Sequence, residues 1–229
     1  MGVHGGPDIV TDGLVFGMDP ANEQSYIGSG TTATDLINKV EGTLQSSGMF
    51  ETNDAGVFNF DGGTNYIDCG TNSILNIINS LSISVWFKTS SAGSNKAIVN
   101  RDPGYSNRVW QLGINSSNQV YIQVRGASTA QATSTTTYAD GNWHNASAVY
   151  DPSTSVKLYI DGDLVNTNTT SIPASLNDIA STPLYVGAYS NFSGERFNGD
   201  ISNILTYNKA LSASEVLQNY NALKGRFGL

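Results

Sequence analysis

The sequence holds one cysteine, Cys69, in 229 residues. A lone thiol forms no intrachain disulfide and no thiolate metal cluster, so this chain must hold together by packing and hydrogen bonding. Histidine is almost as scarce, with only His4 and His144. Charge is thin as well: 13% of residues are charged, and 11 cations against 19 anions leave a formal net charge of -8. An acidic chain lacks the basic footprint that phosphate backbones need, which argues against nucleic acid. It is also repelled by an anionic membrane surface. No apolar run approaches the roughly 18 residues of a membrane-spanning helix. The opening residues, Met1 to Gly13, carry neither a basic stretch nor an apolar one, so no signal peptide is visible. Gly2 is followed by Gly6 where a myristoylation motif wants Ser or Thr. The expectation is a soluble protein made in a cytoplasm.

What is present is hydrophobic and aromatic residues, 39% and 10% of the chain, with 24 glycines. Such a composition excludes disorder and suits many short strands joined by tight turns. The length suits one all-β domain. We expect a flexible N-terminal arm over residues 1–7 and a single domain over 8–229.

The pattern is clearest from Asn142 to Val165, NWHNASAVYDPSTSVKLYIDGDLV. Val156, Leu158 and Ile160 share one parity while Lys157, Tyr159 and Asp161 share the other, the alternation of a half-buried strand. Asp151 to Ser155 is a turn written in Pro and short polar residues, and Asp161-Gly162 is the strongest dipeptide for a tight hairpin. The stretch predicts an antiparallel meander. Elsewhere a first strand lies within residues 8 to 20 and a weak one within Gly42 to Phe50. Val57 to Asp61 and Asn65 to Cys69 flank Gly62-Gly63, a hairpin-type turn. Ser73 to Ser80 makes a short helical turn. Leu81 to Lys88 alternates cleanly, Lys96 to Asn100 reads as a strand, and Val109 to Asn115 with Gln119 to Arg125 form a hairpin. The Thr-rich stretch 131 to 138 is a weaker strand. Pro183 to Tyr189 and Phe197 to Tyr207 supply the last ones. Ser212 to Glu215 has capping-box spacing, opening a short amphipathic helix that ends near Gly225. Many short strands without crossover helices imply an all-β, two-sheet antiparallel sandwich or jelly roll with a short C-terminal helix.

Several phrases carry a resemblance. Asn59 to Ile67 resembles the "FDGxxDYI" phrase of laminin-G-like, concanavalin A-like jelly rolls, and Leu81 to Phe87 resembles their "FTISxWF" strand. Asn142 to Asp151 is similar to "GWHHVAxxYD", Leu158 to Gly162 to "LYVDG", and Phe197 to Val216 to "FxGxIxxxxIYNRALSxxEI". The resemblance implies two antiparallel sheets stacked face to face, one of them concave. The opening phrase Ile9 to Tyr26 and the ending Asn221 to Leu229 resemble forms of the domain encoded by tailed bacteriophages in virion surface proteins. That implies a non-enzymatic capsid decoration or fibre component on the virion surface, with other virion proteins or like subunits as neighbours. Host-surface polysaccharide is the further partner it suggests. The alternative is a carbohydrate-binding or adhesion module of a bacterial protein.

Chemistry is harder to find. A glycoside hydrolase needs two carboxylates flanking the sugar bond, and no glutamate here falls in the E-x-D-x-x-E spacing of related β-glucanases, so hydrolysis is discarded. His144 shares parity with Ala146, Ala148 and Tyr150 and reads as a core residue. Calcium is the one cofactor to carry, with oxygen donors in Arg101 to Asn107, including Asp102, and in Asn191 to Asp200. The same residues are ordinary turn formers. Binding is easier to argue, because Trp86, Tyr121 and Tyr159 fall on the polar parities of their strands. Aromatic faces beside polar groups suit sugars and protein interfaces. The competing reading for these rings is packing beneath a loop or the terminal helix. The candidate ligand-binding residues are Trp86, Tyr121, Arg125, Tyr159, Arg101, Asp102 and Tyr105. Trp110 shares parity with Leu112 and Ile114 and reads as core. Four Asn-x-Ser/Thr matches, at Asn115, Asn145, Asn168 and Asn191, read as chance in an Asn- and Thr-rich chain.

Overall fold

Apolar and polar side chains alternate strand by strand, and the computed structural model shows what that alternation builds. It describes residues 7–90, 93, 95–102, 108–189 and 196–229. The first strands are β1 (Leu14–Met18), β2 (Thr32–Thr34), β3 (Glu41–Leu44), β4 (Phe50–Glu51), β5 (Val57–Asp61), β6 (Ile67–Asp68), β7 (Leu81–Lys88) and β8 (Lys96–Arg101). They are followed by β9 (Trp110–Ile114), β10 (Val120–Arg125), β11 (Thr129–Thr133), β12 (Trp143–Asp151), β13 (Ser155–Ile160), β14 (Asp163–Asn168), β15 (Tyr185–Val186), β16 (Asn198–Tyr207) and helix α1 (Ala213–Leu223).

These strands form two antiparallel sheets. The first runs β14-β13-β12-β7-β16-β5-β4, with β1 also paired to β16, and the second runs β11-β10-β9-β8-β15-β6-β3-β2. Their facing sides make one core. Ile83, Val85 and Phe87 of β7, with Val156, Leu158 and Ile160 of β13, meet Trp110, Leu112 and Ile114 of β9 and Val120, Ile122 and Val124 of β10. Each such side chain contributes about 1.5–3 kcal/mol by leaving water. The meander is present as β12-β13-β14. Asp161 and Gly162 both take positive φ, 53° and 85°, as a two-residue turn matched to strand twist requires.

One turn reading is corrected. Gly62-Gly63 does not join a hairpin: β5 pairs with β16 and β4 in the first sheet, whereas β6 pairs with β15 and β3 in the second. The Asp61 carboxylate organises this change of sheet by accepting from the backbone N–H groups of Gly63, Thr64 and Asn65 at 2.8–2.9 Å. Turn chemistry is the same either way. The destination is set by Phe58, Phe60 and Ile67, all buried in the common core.

The terminal helix lies on the outer face of the first sheet. Ser212 caps it, accepting from Glu215 N while Glu215 accepts from Ser212 N at 2.8 Å. Ser82, Ser84 and Ser147 leave that sheet face low and are buried. Val216 packs on Val149, Tyr159, Leu205 and Tyr207. Asn219, itself buried, accepts from Val10 N at 2.8 Å and donates to the Tyr207 hydroxyl at 3.0 Å, tying the start of the chain beneath the helix. Of the expected arm over residues 1–7, residues 1–6 lie outside the described residues. Among the described residues no helix is long and apolar enough to cross a membrane.

Candidate functional site

With the first sheet's outer face covered by α1, the polar parity of the second sheet is the one to follow. Strand register lines Asn100, Gln111, Gln123 and Gln131 up across β8, β9, β10 and β11. The neighbouring row is Ala97, Gly113, Tyr121 and Thr133. Gly113 is required there. A Cβ would fall 2.4 Å from the Lys96 carbonyl and 3.3 Å from the Tyr121 hydroxyl, which lies over it.

A cleft of about 160 Å³ opens on this face, lined by Asn95, Arg108, Asn115, Tyr121, Gln123, Gln131 and Tyr189. Its side chains are fixed by one another. Arg108 pairs through Nε with Asp102 at 2.5 Å and donates through Nη1 to the Gln123 carbonyl oxygen. Gln123 donates to Gln131 and Gln131 to Thr133 Oγ1, each at 2.9 Å. Buried Gln111 donates to the Tyr121 hydroxyl, which is 2.8 Å from that of Tyr189. The Arg108 guanidinium lies 5.8 Å from the centre of the Tyr189 ring. Beneath them the side-chain amide oxygens of Asn100 (Oδ1) and Gln111 (Oε1) are buried with no hydrogen-bond partner among the described residues. Each orphaned acceptor costs about 1–3 kcal/mol, a cost that folds tolerate at sites more than elsewhere. Farther along the face Tyr66 and Tyr185 meet edge to face at 6.0 Å, and Arg196 lies 4.4 Å over Tyr66.

The expected site residues are dispersed. Tyr121 lines the cleft, and Asp102 lies buried under it as the partner of Arg108. Arg125 shares the strand face of Tyr121 and Gln123 but does not line the cleft. The expectation of surface-facing Trp86 and Tyr159 is corrected, because both are buried: Tyr159 packs beneath Val216, and Trp86 stacks on Tyr220 and Phe227. Polar parity predicted their face correctly, but the helix occupies it. Arg101 is also corrected. It points inward opposite Trp110, and its guanidinium donates to Asn76 Oδ1 and to the carbonyls of Ile179 and Thr182 at 3.0–3.2 Å. Burial pulls its pKa down to about 10. Tyr105 lies outside the described residues.

The calcium loops, Arg101 to Asn107 and Asn191 to Asp200, fall largely outside the described residues. Of their described carboxylates, Asp102 faces Arg108 and Asp200 accepts from Asn59 at 2.7 Å. No group of three His, Cys, Asp or Glu suited to a metal occurs among the described residues. Asn145, in one of the Asn-x-Ser/Thr matches, is buried against Ser84 and Ser147.

His144 has the expected core parity, opposite Phe87, but sits at a strand end where its side chain is 14% exposed. Its Nδ1 is 2.7 Å from Asp161 Oδ2 and its Nε2 3.3 Å from Asp140 Oδ1. Burial opposes its charge, yet the hydrogen bonds and charges of Asp161 and Asp140 outweigh burial and raise its pKa above the ordinary 6.5. The imidazole is held by two carboxylates on the first sheet and does not line the cleft.

Sequence reasoning missed Arg108, Tyr189, Asn95 and Asn115. Gln123 and Gln131 were within reach, since they alternate with the core residues of β10 and β11. Arg108 and Tyr189 stand outside any strand, and no periodicity marks them.

A family profile described as the Concanavalin A-like lectin/glucanases superfamily, of laminin G type, matches residues 61–217. No curated protein matches the chain in sequence. Among solved structures, the binding domain of Paraclostridial Mosquitocidal Protein 1 superposes with a TM-score of 0.72 at 16% identity, over 92% of this chain and 52% of that one. The ligand binding domain of Botulinum neurotoxin serotype D, in complex with N-acetylneuraminic acid, gives 0.71 at 16% identity, over 91% and 50%. Domain 4 of AbnA, a GH43 extracellular arabinanase from Geobacillus stearothermophilus, in complex with arabinotriose, gives 0.68 at 17% identity, over 90% and 98%. The chain thus spans about half the length of the two toxin binding domains and nearly all of the arabinanase domain. Identities this low speak for the fold alone.

Proposed function

The chain belongs to the concanavalin A-like lectin/glucanases superfamily, and we propose that it acts as a non-enzymatic glycan-binding protein through the cleft around Arg108, Tyr121 and Gln131. The observation that carries this reading is the cleft's lining. Two tyrosines and four carboxamides converge there, and none of the described lining residues is a carboxylate. Carboxamides and phenols donate and accept hydrogen bonds at once, which matches a sugar hydroxyl. Tyr121 and Tyr189 are themselves buried, at 6% and 5% exposure, so what they offer a sugar is hydrogen bonding at the hydroxyl rather than an open ring face. A glycosidase would need two carboxyl groups astride the bond.

The cleft is smaller than the roughly 300–1,000 Å³ of a drug-sized site, so it suits one sugar unit held weakly. Weak sites gain avidity when many copies act together. The setting we propose is therefore the surface of a tailed-phage virion, as capsid decoration or fibre component, among other virion proteins or like subunits. Support comes from the phrases Ile9 to Tyr26 and Asn221 to Leu229. The solved relatives favour a second setting, a binding module of a secreted bacterial protein, since one of them is a domain of an extracellular arabinanase.

The test is a glycan array read with wild-type protein, Tyr121→Ala and Gln131→Ala, each checked for folding by circular dichroism. Binding that both folded variants lose supports the reading. Silence of the wild type across bacterial and host polysaccharides overturns it. Immunogold labelling of purified phage particles and of bacterial culture supernatant separates the two settings.

A further inference from the structure

We infer that the cleft selects neutral sugars over acidic ones, an inference that rests on the glycan-binding reading. Among the described residues the one cation lining the cleft is Arg108, and its charge is already met by a buried carboxylate. Asp102 is 1% exposed and sits 2.5 Å from Arg108 Nε, while another edge of the guanidinium donates to Gln123. The pair carries no net charge, so its attraction for an anion is weaker and falls off faster with distance than that of a lone cation. Arg125 lies on the same strand face but does not line the cleft.

The remaining lining points the same way. Gln123 and Gln131 hold one another in a directed chain, Gln123 Nε2 to Gln131 Oε1 and Gln131 Nε2 to Thr133 Oγ1. Their carbonyl oxygens and the lone pairs of Tyr121 and Tyr189 therefore share the cleft with N–H and O–H donors. A carboxylate or sulfate only accepts hydrogen bonds, so each oxygen set against one of these acceptors loses hydration without a partner. A hydroxyl turns its proton to suit either. The chain as a whole carries -8, and that field further lowers the local concentration of an anionic ligand.

The decisive experiment is titration of the full chain with matched glycan pairs that differ by one sialic or uronic acid, at about 50 mM and about 500 mM salt. Expected is at least about tenfold tighter binding of the neutral member, with less than about a twofold change in its affinity between the two salts. Asp102→Asn keeps the side chain's shape and uncovers the Arg108 charge, so it should narrow or reverse the preference. Should that variant not fold, Thr129→Lys, two residues along β11 from Gln131 on the same exposed face, adds a cation beside the cleft without removing a lining residue and should do the same. Equal binding of both members, or preference for the acidic one with binding still lost in Tyr121→Ala, overturns the inference and leaves the glycan-binding reading standing. Binding of neither member overturns that reading, and the inference with it.

Discussion

The Phe227 ring lies 4.2 Å from the Trp86 ring, with the planes only 20° apart. The same Phe227 contacts Trp143 at 4.6 Å. Beside it Arg226 is held by Asp19 Oδ1 at 2.7 Å, by the Asp54 carbonyl at 2.8 Å and by Ser202 Oγ at 2.7 Å. The last turn of the chain is thus clamped over the aromatic side of the first sheet. The rings that polar parity offers for contact there are occupied by the protein's own tail.

Replacing Phe227 by Ala should therefore cost about 3–5 kcal/mol. Urea titration followed by tryptophan fluorescence reads this directly, since Trp86 and Trp143 both lose their neighbour. Glycan affinity of the folded fraction should stay unchanged, because the cleft lies on the outer face of the other sheet.

Arg101→Met should destabilise more than its volume suggests. The side chain is 1% exposed and anchors the 179–182 segment through two backbone carbonyls. The Thr182 carbonyl would lose its guanidinium partner, at about 1–3 kcal/mol, while the Ile179 carbonyl keeps the Thr182 N–H at 3.0 Å. Thermal unfolding with hydrogen exchange at residues 176–184 checks this. Exchange unchanged in that segment would contradict the anchoring role.

Two carboxylate contacts make stability depend on pH from opposite sides. His144 has a raised folded pKa, so its stabilisation is fully present below the unfolded value of 6.5 and is lost as pH rises through the higher folded value. His144→Gln should remove that loss on the neutral-to-alkaline side. At Asp61 burial works against the charge, but hydrogen bonds from Asn65, Gly63 and Thr64 win and bring its pKa down to about 2. Its contribution is present above 3.8 and fades as pH falls through about 2. Urea midpoints measured across pH for wild type, His144→Gln and Asp61→Ala would show both slopes.

Asn166 closes the sandwich at one side, donating across from β14 to the Thr133 carbonyl of β11 at 2.7 Å, and Asn168 repeats this on Gln131 at 2.9 Å. Asn166→Asp puts an acceptor against an acceptor. A loss of about 1–3 kcal/mol is expected, largest at neutral pH and reduced in acid, where the carboxyl can donate. A denaturation series at the two pH values decides it.

Period-two patterning was enough to read the strands of the meander and the core faces of β7, β9 and β10, and three-residue spacing the capping box at Ser212, because each depends on residues close in sequence. Trp110 was legible as core for the same reason. For Trp86 parity left two readings open, surface contact or packing beneath the terminal helix, and the structure takes the second. Parity says which face a side chain leaves from and nothing about what covers that face. The Gly62-Gly63 turn failed similarly, since one turn chemistry serves both a hairpin and a change of sheet.

The sequence by itself thus determined the all-β class, the sandwich and the turns of the meander, as consequences of local alternation and backbone preference, while the superfamily was legible from the resemblance of its phrases. Tertiary structure alone decided which sheet face is left uncovered. The coverage of one sheet by residues from the chain's end comes from packing between segments far apart in sequence. So does the meeting of Arg108, Tyr121 and Tyr189 over Gly113. Local periodicity carries no record of either.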